Sequence, residues 1–193
     1  MKQTTIILAH PWHGSFNKRI LDETIRNLER KKQKYQLIDL NKDQFNPVLK
    51  EEELALFAKG EHLDPLVSKY QKLLKESDSL IFIFPIWWAD IPAILKGFLD
   101  KVMLKQFAYT TGKFGLEGRL THIKKATVIT TSDSPKWYLR YFAGNSIRGV
   151  FINSTLKGIG IKNVRWYHCN HIKKEGLPQR KKFLEVIKQA SFQ

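Results

Sequence analysis

Residues 80–92 read LIFIFPIWWADIP. The first five, Leu80 to Phe84, form an unbroken apolar run, the pattern of a strand covered on both faces. The run stops at Pro85, and two adjacent tryptophans, Trp87 and Trp88, stand between that proline and Pro92. A segment leaving the end of a buried strand should be polar, because its backbone must meet water. Two indoles at that point need something to cover them, and two prolines hold them on a stiff loop.

Working outward, short β-type runs alternate with helical patterns. Strands are expected at Thr4 to Ala9, Tyr35 to Leu40, Ala126 to Thr131 and Lys162 to His168. Between them, residues Asn17 to Arg30 put Ile20, Leu21, Thr24, Ile25 and Leu28 on one helical face. Glu51 to Ala58 and Pro65 to Glu76 read as helices, the second with its proline at the start. Pro92 to Met103 turns Ile94, Leu95, Phe98, Leu99 and Val102 inward. Trp137 to Leu156 reads as helical with a break near Gly144 or Gly149, and Leu177 to Ala190 as the last helix. Five strands separated by helices predict an α/β fold with a parallel sheet wrapped on both faces and right-handed crossovers. In such sheets a ligand sits outside the carboxyl ends of the strands. The chemistry is therefore expected just after strands one, three and four. With no repeat, linker or low-complexity segment, residues 1–193 read as a single domain.

Composition narrows the class. A chain that is 42% hydrophobic and 26% charged is globular. Cys169 is the only cysteine, so no intramolecular disulfide is possible. A reducing compartment and a packed small side chain are the simple readings. Lysine and arginine number 33 against 18 acids, a net charge of +15. Short runs such as Arg30 to Lys34, Lys173-Lys174 and Arg180 to Lys182 read as a solvated surface. The alternative is attraction of phosphorylated cofactors, nucleic acid or lipid. No aromatic RNA-binding pattern or zinc spacing accompanies the charge, so no nucleic-acid partner is expected. The histidines lack ligand spacing, so no metal is expected; His62, His122, His168 and His171 read as surface or strand-end residues. No apolar run is long enough to span a membrane, and the one near the N-terminus is too short for a signal-peptide core. A cytoplasmic protein is expected.

After strand one comes His10-Pro11-Trp12-His13-Gly14-Ser15-Phe16-Asn17. The loop lacks Gly-x-Gly-x-x-Gly, which disfavours the Rossmann dinucleotide reading. Ser15 and the amides of Phe16 to Lys18 suit a phosphate at a helix start, where the dipole adds to the attraction. His10 is placed to donate from the strand end. Ser15 or Asn17 could equally cap the helix, and one residue can do both. After strand three, the paired tryptophans suit a flat isoalloxazine ring needing apolar cover and backbone donors at its edge. In an extended chain neighbours point to opposite sides, which would turn one of the two to the ring and the other to a partner chain; the alternative is that both pack in the core or a dimer interface.

The stretch FPIWWADIPAILKGFLDKVM, residues 84–103, resembles the NAD(P)H quinone dehydrogenase family of flavodoxin-like fold. So do the loop His10 to Asn17 and Phe107-Ala108-Tyr109-Thr110. The resemblance implies a flavodoxin-like three-layer sandwich with a five-stranded parallel sheet. It further implies FAD or FMN, with FAD slightly ahead, and a homodimer. The reaction implied is ping-pong hydride transfer from NAD(P)H to a quinone-like acceptor. It assigns the flavin phosphates to His10, Ser15, Phe16 and Asn17, and the isoalloxazine to Pro85, Ile86, Trp87 and Trp88. Tyr109 matches a family tyrosine that reaches the acceptor pocket, usually of the other subunit. After strand four the best-known members place Thr-Thr-Gly-Gly. This chain has Thr130-Thr131-Ser132-Asp133-Ser134-Pro135-Lys136-Trp137-Tyr138, similar to a bacterial branch with an Asp-x-Pro-x-Trp-Tyr loop. Thr131, Ser132 and Asp133 can still meet the pyrimidine end of the ring, or Asp133 can cap the helix near Pro135. Tyr138 is the tyrosine carried over as catalytic. It and Trp137 either line the acceptor pocket or anchor their helix. Competing readings are a one-electron carrier, disfavoured by the basic charge, and a regulatory subunit of a membrane transport protein with peripheral membrane association.

Overall fold

A computed structural model describes residues 2–113, 115–172 and 176–192. The lysine pair 173–174 lies outside them. Five strands, β1 (Gln3–Leu8), β2 (Lys34–Asp39), β3 (Ser79–Pro85), β6 (Lys125–Thr131) and β7 (Val164–Cys169), form one sheet. Its order is β2-β1-β3-β6-β7, and every pairing is parallel. The first-strand side chains show how period-two alternation builds two cores at once. Ile6 and Leu8 join Ile81 and Ile83 of β3 on one face, with Ile20, Leu21 and Leu28 of α1 (Phe16–Arg30) and Phe183 and Ile187 of α6 (Gly176–Gln189). Ile7 joins Phe82 and Phe84 on the other face. There they meet Val67 and Tyr70 of α3 (Pro65–Lys75), Leu95 and Phe98 of α4 (Ala93–Val102) and Phe151. The run Leu80 to Phe84 is therefore covered on both sides, as its composition requires. A short α2 (Glu51–Phe57) precedes α3. Buried Asn27 of α1 ties the two helices of its face together, donating to the carbonyls of Ile187, Lys188 and Ala190 at 2.8–3.0 Å.

Two elements depart from the expected series. Tyr109–Gly112 (β4) and Gly115–Gly118 (β5) form an antiparallel hairpin outside the main sheet. The segment expected as a broken helix is α5 (Lys136–Tyr141) followed by a π-helix, Ser146–Leu156. The break falls at Gly144 and Asn145, both with positive φ (74° and 52°). The π-helix closes with the Lys157 amide donating to the Ile152 carbonyl, five residues back, at 3.1 Å. Among the described residues no helix is long and apolar enough to cross a membrane.

Candidate active site at the carboxyl rim of the sheet

The loops leaving β1, β3 and β6 surround a cleft of about 720 Å³. His10, Ser15, Phe16 and Asn17 line it from the first loop, Pro85, Ile86, Trp87 and Trp88 from the second, and Thr131, Ser132 and Asp133 from the third. Trp12, Gly14, Ile172 and Arg180, which sequence reasoning did not single out, complete the wall.

In the first loop the turn closes when the Ser15 amide donates to the Trp12 carbonyl at 3.1 Å. Ser15 is the N-cap of α1, its Oγ accepting from the Lys18 amide at 3.2 Å. Capping and cleft lining therefore coincide in this residue. The amides of Phe16 and Asn17 follow in the first helical turn, where no intrahelical acceptor exists. They sit at the positive end of the helix dipole. A Cβ at Gly14 would lie 2.5 Å from the Trp12 indole, so any larger residue there would push that exposed ring aside. His10 Nδ1 accepts from the Trp12 amide at 3.1 Å, which leaves the proton of the neutral ring on Nε2. Burial pulls this imidazole below its ordinary pKa, against a smaller opposing pull from the Trp12 hydrogen bond. Asn17 is buried; its Nδ2 donates to Thr131 Oγ1 at 3.0 Å, joining the first loop to the third. Its Oδ1 is buried without a hydrogen-bond partner. Arg180, from α6, donates to the Ile172 carbonyl at 2.9 Å and lies 5.7 Å from the Phe16 ring centre. Its Nε is likewise buried and unpartnered. Nothing in the local sequence separates Arg180 from its lysine neighbours; the docking of α6 beside α1 brings it to the rim.

The second loop corrects the picture of an extended chain. Trp87 and Asp90 exchange both backbone hydrogen bonds at 3.0 Å, and Trp88 and Ala89 between them have φ of 51° and 61°. This is the two-residue turn with left-handed central positions that normally selects Asn-Gly. The tryptophans are thereby turned along one wall instead of to opposite sides. Trp87 is 46% exposed and Trp88 fully so. Asp90 Oδ1 accepts from the Ile91 amide at 2.7 Å, and Ser146 Oγ donates to the Ala89 carbonyl, pinning the turn to the π-helix. Left-handed geometry at a bulky residue costs on the order of 1 kcal/mol, and such strain concentrates at functional loops.

The third loop is held from the edge strand. The Ser132 amide donates to the Cys169 carbonyl at 3.0 Å. Trp166 Nε1 donates to Thr130 Oγ1 at 2.8 Å, so the Thr130 hydroxyl proton is directed to His168 Nδ1, also at 2.8 Å. His168 Nε2 then donates to the Ser134 carbonyl at 2.9 Å. Expected as an ordinary strand-end residue, His168 is instead a partly buried strut. Burial pulls its pKa below 6.5. The expected capping by Asp133 is also corrected. The N-cap of α5 is Pro135, with no side-chain bond, and Ser132 Oγ takes the Ser134 amide at 3.1 Å. Tyr138 is exposed on α5, stacked on Phe142 at 6.1 Å. Tyr109 lies in the hairpin against the core. Neither is part of this cleft.

A parallel 2-1-3-6-7 sheet with its cleft at the topological switch, beside the start of a helix, defines a doubly wound α/β protein, a class whose ligands sit at this rim. The model of the flavodoxin-like fold family matches residues 2–190, and the chain belongs to that family, among its NAD(P)H quinone oxidoreductases. It is 31% identical over 154 residues to NAD(P)H dehydrogenase (quinone) 1 of Cavia porcellus, a match spanning 72% of this chain and 56% of that protein. An uncharacterized NAD(P)H oxidoreductase of Haemophilus influenzae is 30% identical over 162 residues, spanning 83% of this chain and 80% of the relative. The NAD(P)H:quinone oxidoreductase from Methanothermobacter marburgensis superposes with a TM-score of 0.89 at 27% identity. That match covers 98% of this chain and 96% of the other.

Proposed function

We propose that the chain binds FAD or FMN in the rim cleft and passes hydride from NAD(P)H to a quinone-like acceptor by two-electron, ping-pong turnover. The observation that carries this reading is the cleft's chemistry. It joins a helix start with two orphan amides to a wall of exposed indoles, and two of its lining residues carry buried polar atoms without a partner, Asn17 Oδ1 and Arg180 Nε. Buried polar atoms without partners are rare, and a phosphorylated group with ring N–H donors satisfies both kinds. The volume of about 720 Å³ falls within the range of cofactor sites.

In this reading the amides of Phe16 and Asn17, with Arg180, hold phosphate. His10 Nε2 supplies a neutral donor beside it. Trp87 and Trp88 cover the ring and exclude water. Thr131, Ser132 and Asp133 position its polar edge. The flavin, when bound, supplies hydride acceptance and donation; the protein supplies orientation and electrostatics. The extension of the cleft to Ile172 and Arg180, beyond the first loop, favours FAD over FMN. The Asp133 to Tyr138 sequence supports membership of a bacterial branch of the family. Tyr138, exposed just past the third loop, is the acceptor-side tyrosine of the same chain. Tyr109 serves the cleft of the other subunit in a homodimer. The exposed rings of Trp88, Tyr138 and Phe142 supply apolar surface for that assembly.

The test is direct. The purified chain is expected to be yellow, to release FAD or FMN on acid treatment, and to oxidise NAD(P)H with menadione. Parallel double-reciprocal plots and a dimeric sedimentation coefficient are expected. A colourless protein that neither flavin reconstitutes overturns the reading.

A further inference from the structure

Beside the cleft lies a second cavity of about 870 Å³, formed by α5, the π-helix and the end of β7. Its wall carries three cations, Lys136, Arg140 and Arg148, and three aromatic rings, Trp137, Tyr141 and Trp166, with no carboxylate. Among the described residues none of these three cations is paired with a carboxylate, unlike Lys18 with Asp22 or Lys96 with Asp100. Lys136 Nζ donates to the Trp166 carbonyl at 2.8 Å and sits 4.4 Å from the indole centre. The Arg140 guanidinium lies 5.1 Å from the Tyr141 ring centre. Burial, then Arg148 and Arg140, pull the Lys136 ammonium below its ordinary pKa. Three like charges held together are repulsive in the free protein, so an anion that enters gains from all three at once. Flat rings beside them offer stacking faces. Charge and rings together fit a phosphorylated aromatic ligand better than a bare anion.

Position narrows the ligand further. The His171 amide donates to the Asp133 carbonyl at 3.4 Å, and the Ser132 amide to that of Cys169 at 3.0 Å. Ser132, Asp133 and Ile172 line the rim cleft, while Pro135, Asn170 and His171 line this groove. The two cavities thus share one thin wall, segments 132–135 and 169–172. A ligand with a redox end and a phosphorylated adenosine end is suited to two sites so placed.

We propose that the groove binds the phosphorylated adenosine end of NADPH, its 2′-phosphate meeting Arg140, Arg148 and Lys136. The coenzyme part rests on the flavin reading of the cleft; the binding of phosphorylated adenosine does not. The probe is 2′,5′-ADP, titrated calorimetrically into the purified full chain and into Arg148→Gln, with folding of the variant checked by urea denaturation. We expect 2′,5′-ADP to bind at least about ten-fold more tightly than adenosine 5′-monophosphate, with added salt weakening it. A lost charged hydrogen bond should cost the variant about ten-fold in affinity. The KM for NADPH should rise by a similar factor, with the KM for NADH and for menadione moving less than about two-fold. Equal binding of the two nucleotides, an unchanged variant, or equal shifts for NADH and NADPH overturn the proposal. If 2′,5′-ADP binds but does not compete with NADPH, the groove serves a separate nucleotide and the coenzyme assignment fails. A colourless protein that still binds 2′,5′-ADP sinks the flavin reading and leaves the phosphorylated-adenosine site standing.

Discussion

The two cavities on the carboxyl side of the sheet are built by different means. The rim cleft is made of strand ends and the first residues of a helix, so most of its donors are backbone amides whose directions the fold sets. Its long cation, Arg180, is anchored by a 2.9 Å bond to Ile172 and by the Phe16 ring. The groove is made of side chains from a six-residue helix, a π-helix and an edge strand, and its charges sit on long stems. The first arrangement suits a group that must be held in one orientation. The second reads charge more than shape. One hydrogen-bonded chain joins them: Trp166 in the groove, Thr130, His168, then the Ser134 carbonyl of the third loop. If fixed geometry serves the cleft and charge the groove, substitutions should affect one and spare the other.

The largest separation is expected from Asn17→Ala. It removes the 3.0 Å bond between the first and third loops and leaves Thr131 Oγ1 short of a partner. We expect a loss of about 1–3 kcal/mol in stability and at least about ten-fold weaker flavin retention, read by urea denaturation and flavin fluorescence. Binding of 2′,5′-ADP should not change. A parallel loss there would mean that the two cavities form one site. Next comes the turn at Trp88 and Ala89. The double variant W88N/A89G installs residues that favour left-handed φ and should raise stability by roughly 1–2 kcal/mol while lowering turnover with menadione. A gain in stability without loss of turnover would show that the tryptophan's strain serves nothing.

The same contrast explains what could be read without coordinates. The sheet was legible because period-two burial on both faces leaves an unmistakable run, Leu80 to Phe84. The rim was legible because the sheet rule states where ligands sit. The first and second loops carried their own turn and aromatic signals. Hairpin Tyr109–Gly118 was not legible: four-residue strands rich in glycine give too little alternation. The π-helix was legible in principle, since buried Ile147, Phe151, Ile152 and Leu156 fall at i, i+4, i+5 and i+9, which share one face only when the turn is wider than 3.6 residues. Arg180 and the groove were hidden for a different reason. Their residues come from α5, the π-helix, β7 and α6, and only the packing of those elements makes them neighbours. A lysine or arginine run has the same appearance whether it is solvated or gathered around a ligand.

Two smaller effects bear on how the loops are held. Ser15→Ala removes the cap of α1 and should cost about 1 kcal/mol, measured as a fall in the urea midpoint, with weaker flavin binding and an unchanged groove. A larger loss would mean that the hydroxyl supports more than the helix start.

The last prediction concerns the strut between the cavities. His168 is partly buried, and that burial holds its pKa below the ordinary 6.5. As pH drops past 6.5, the unfolded chain takes up a proton that the folded chain resists, so stability is full above that value and is lost toward the lowered pKa. Protonation also sets a second donor against the Thr130 hydroxyl, whose proton already points at Nδ1. The third loop should therefore loosen on acidification, and Thr131 to Asp133 with it. His10 has the same sign of shift and contributes its own part, which a variant at 168 leaves in place. His168→Gln keeps a donor for the Ser134 carbonyl and removes the titration. Its urea midpoint should change less between pH 7.5 and 5.5 than that of the parent chain, with flavin retention flattening in parallel. Identical pH dependence in the two proteins would assign the acid sensitivity to His10 and the first loop, and would leave the edge strand without a part in shaping the cleft.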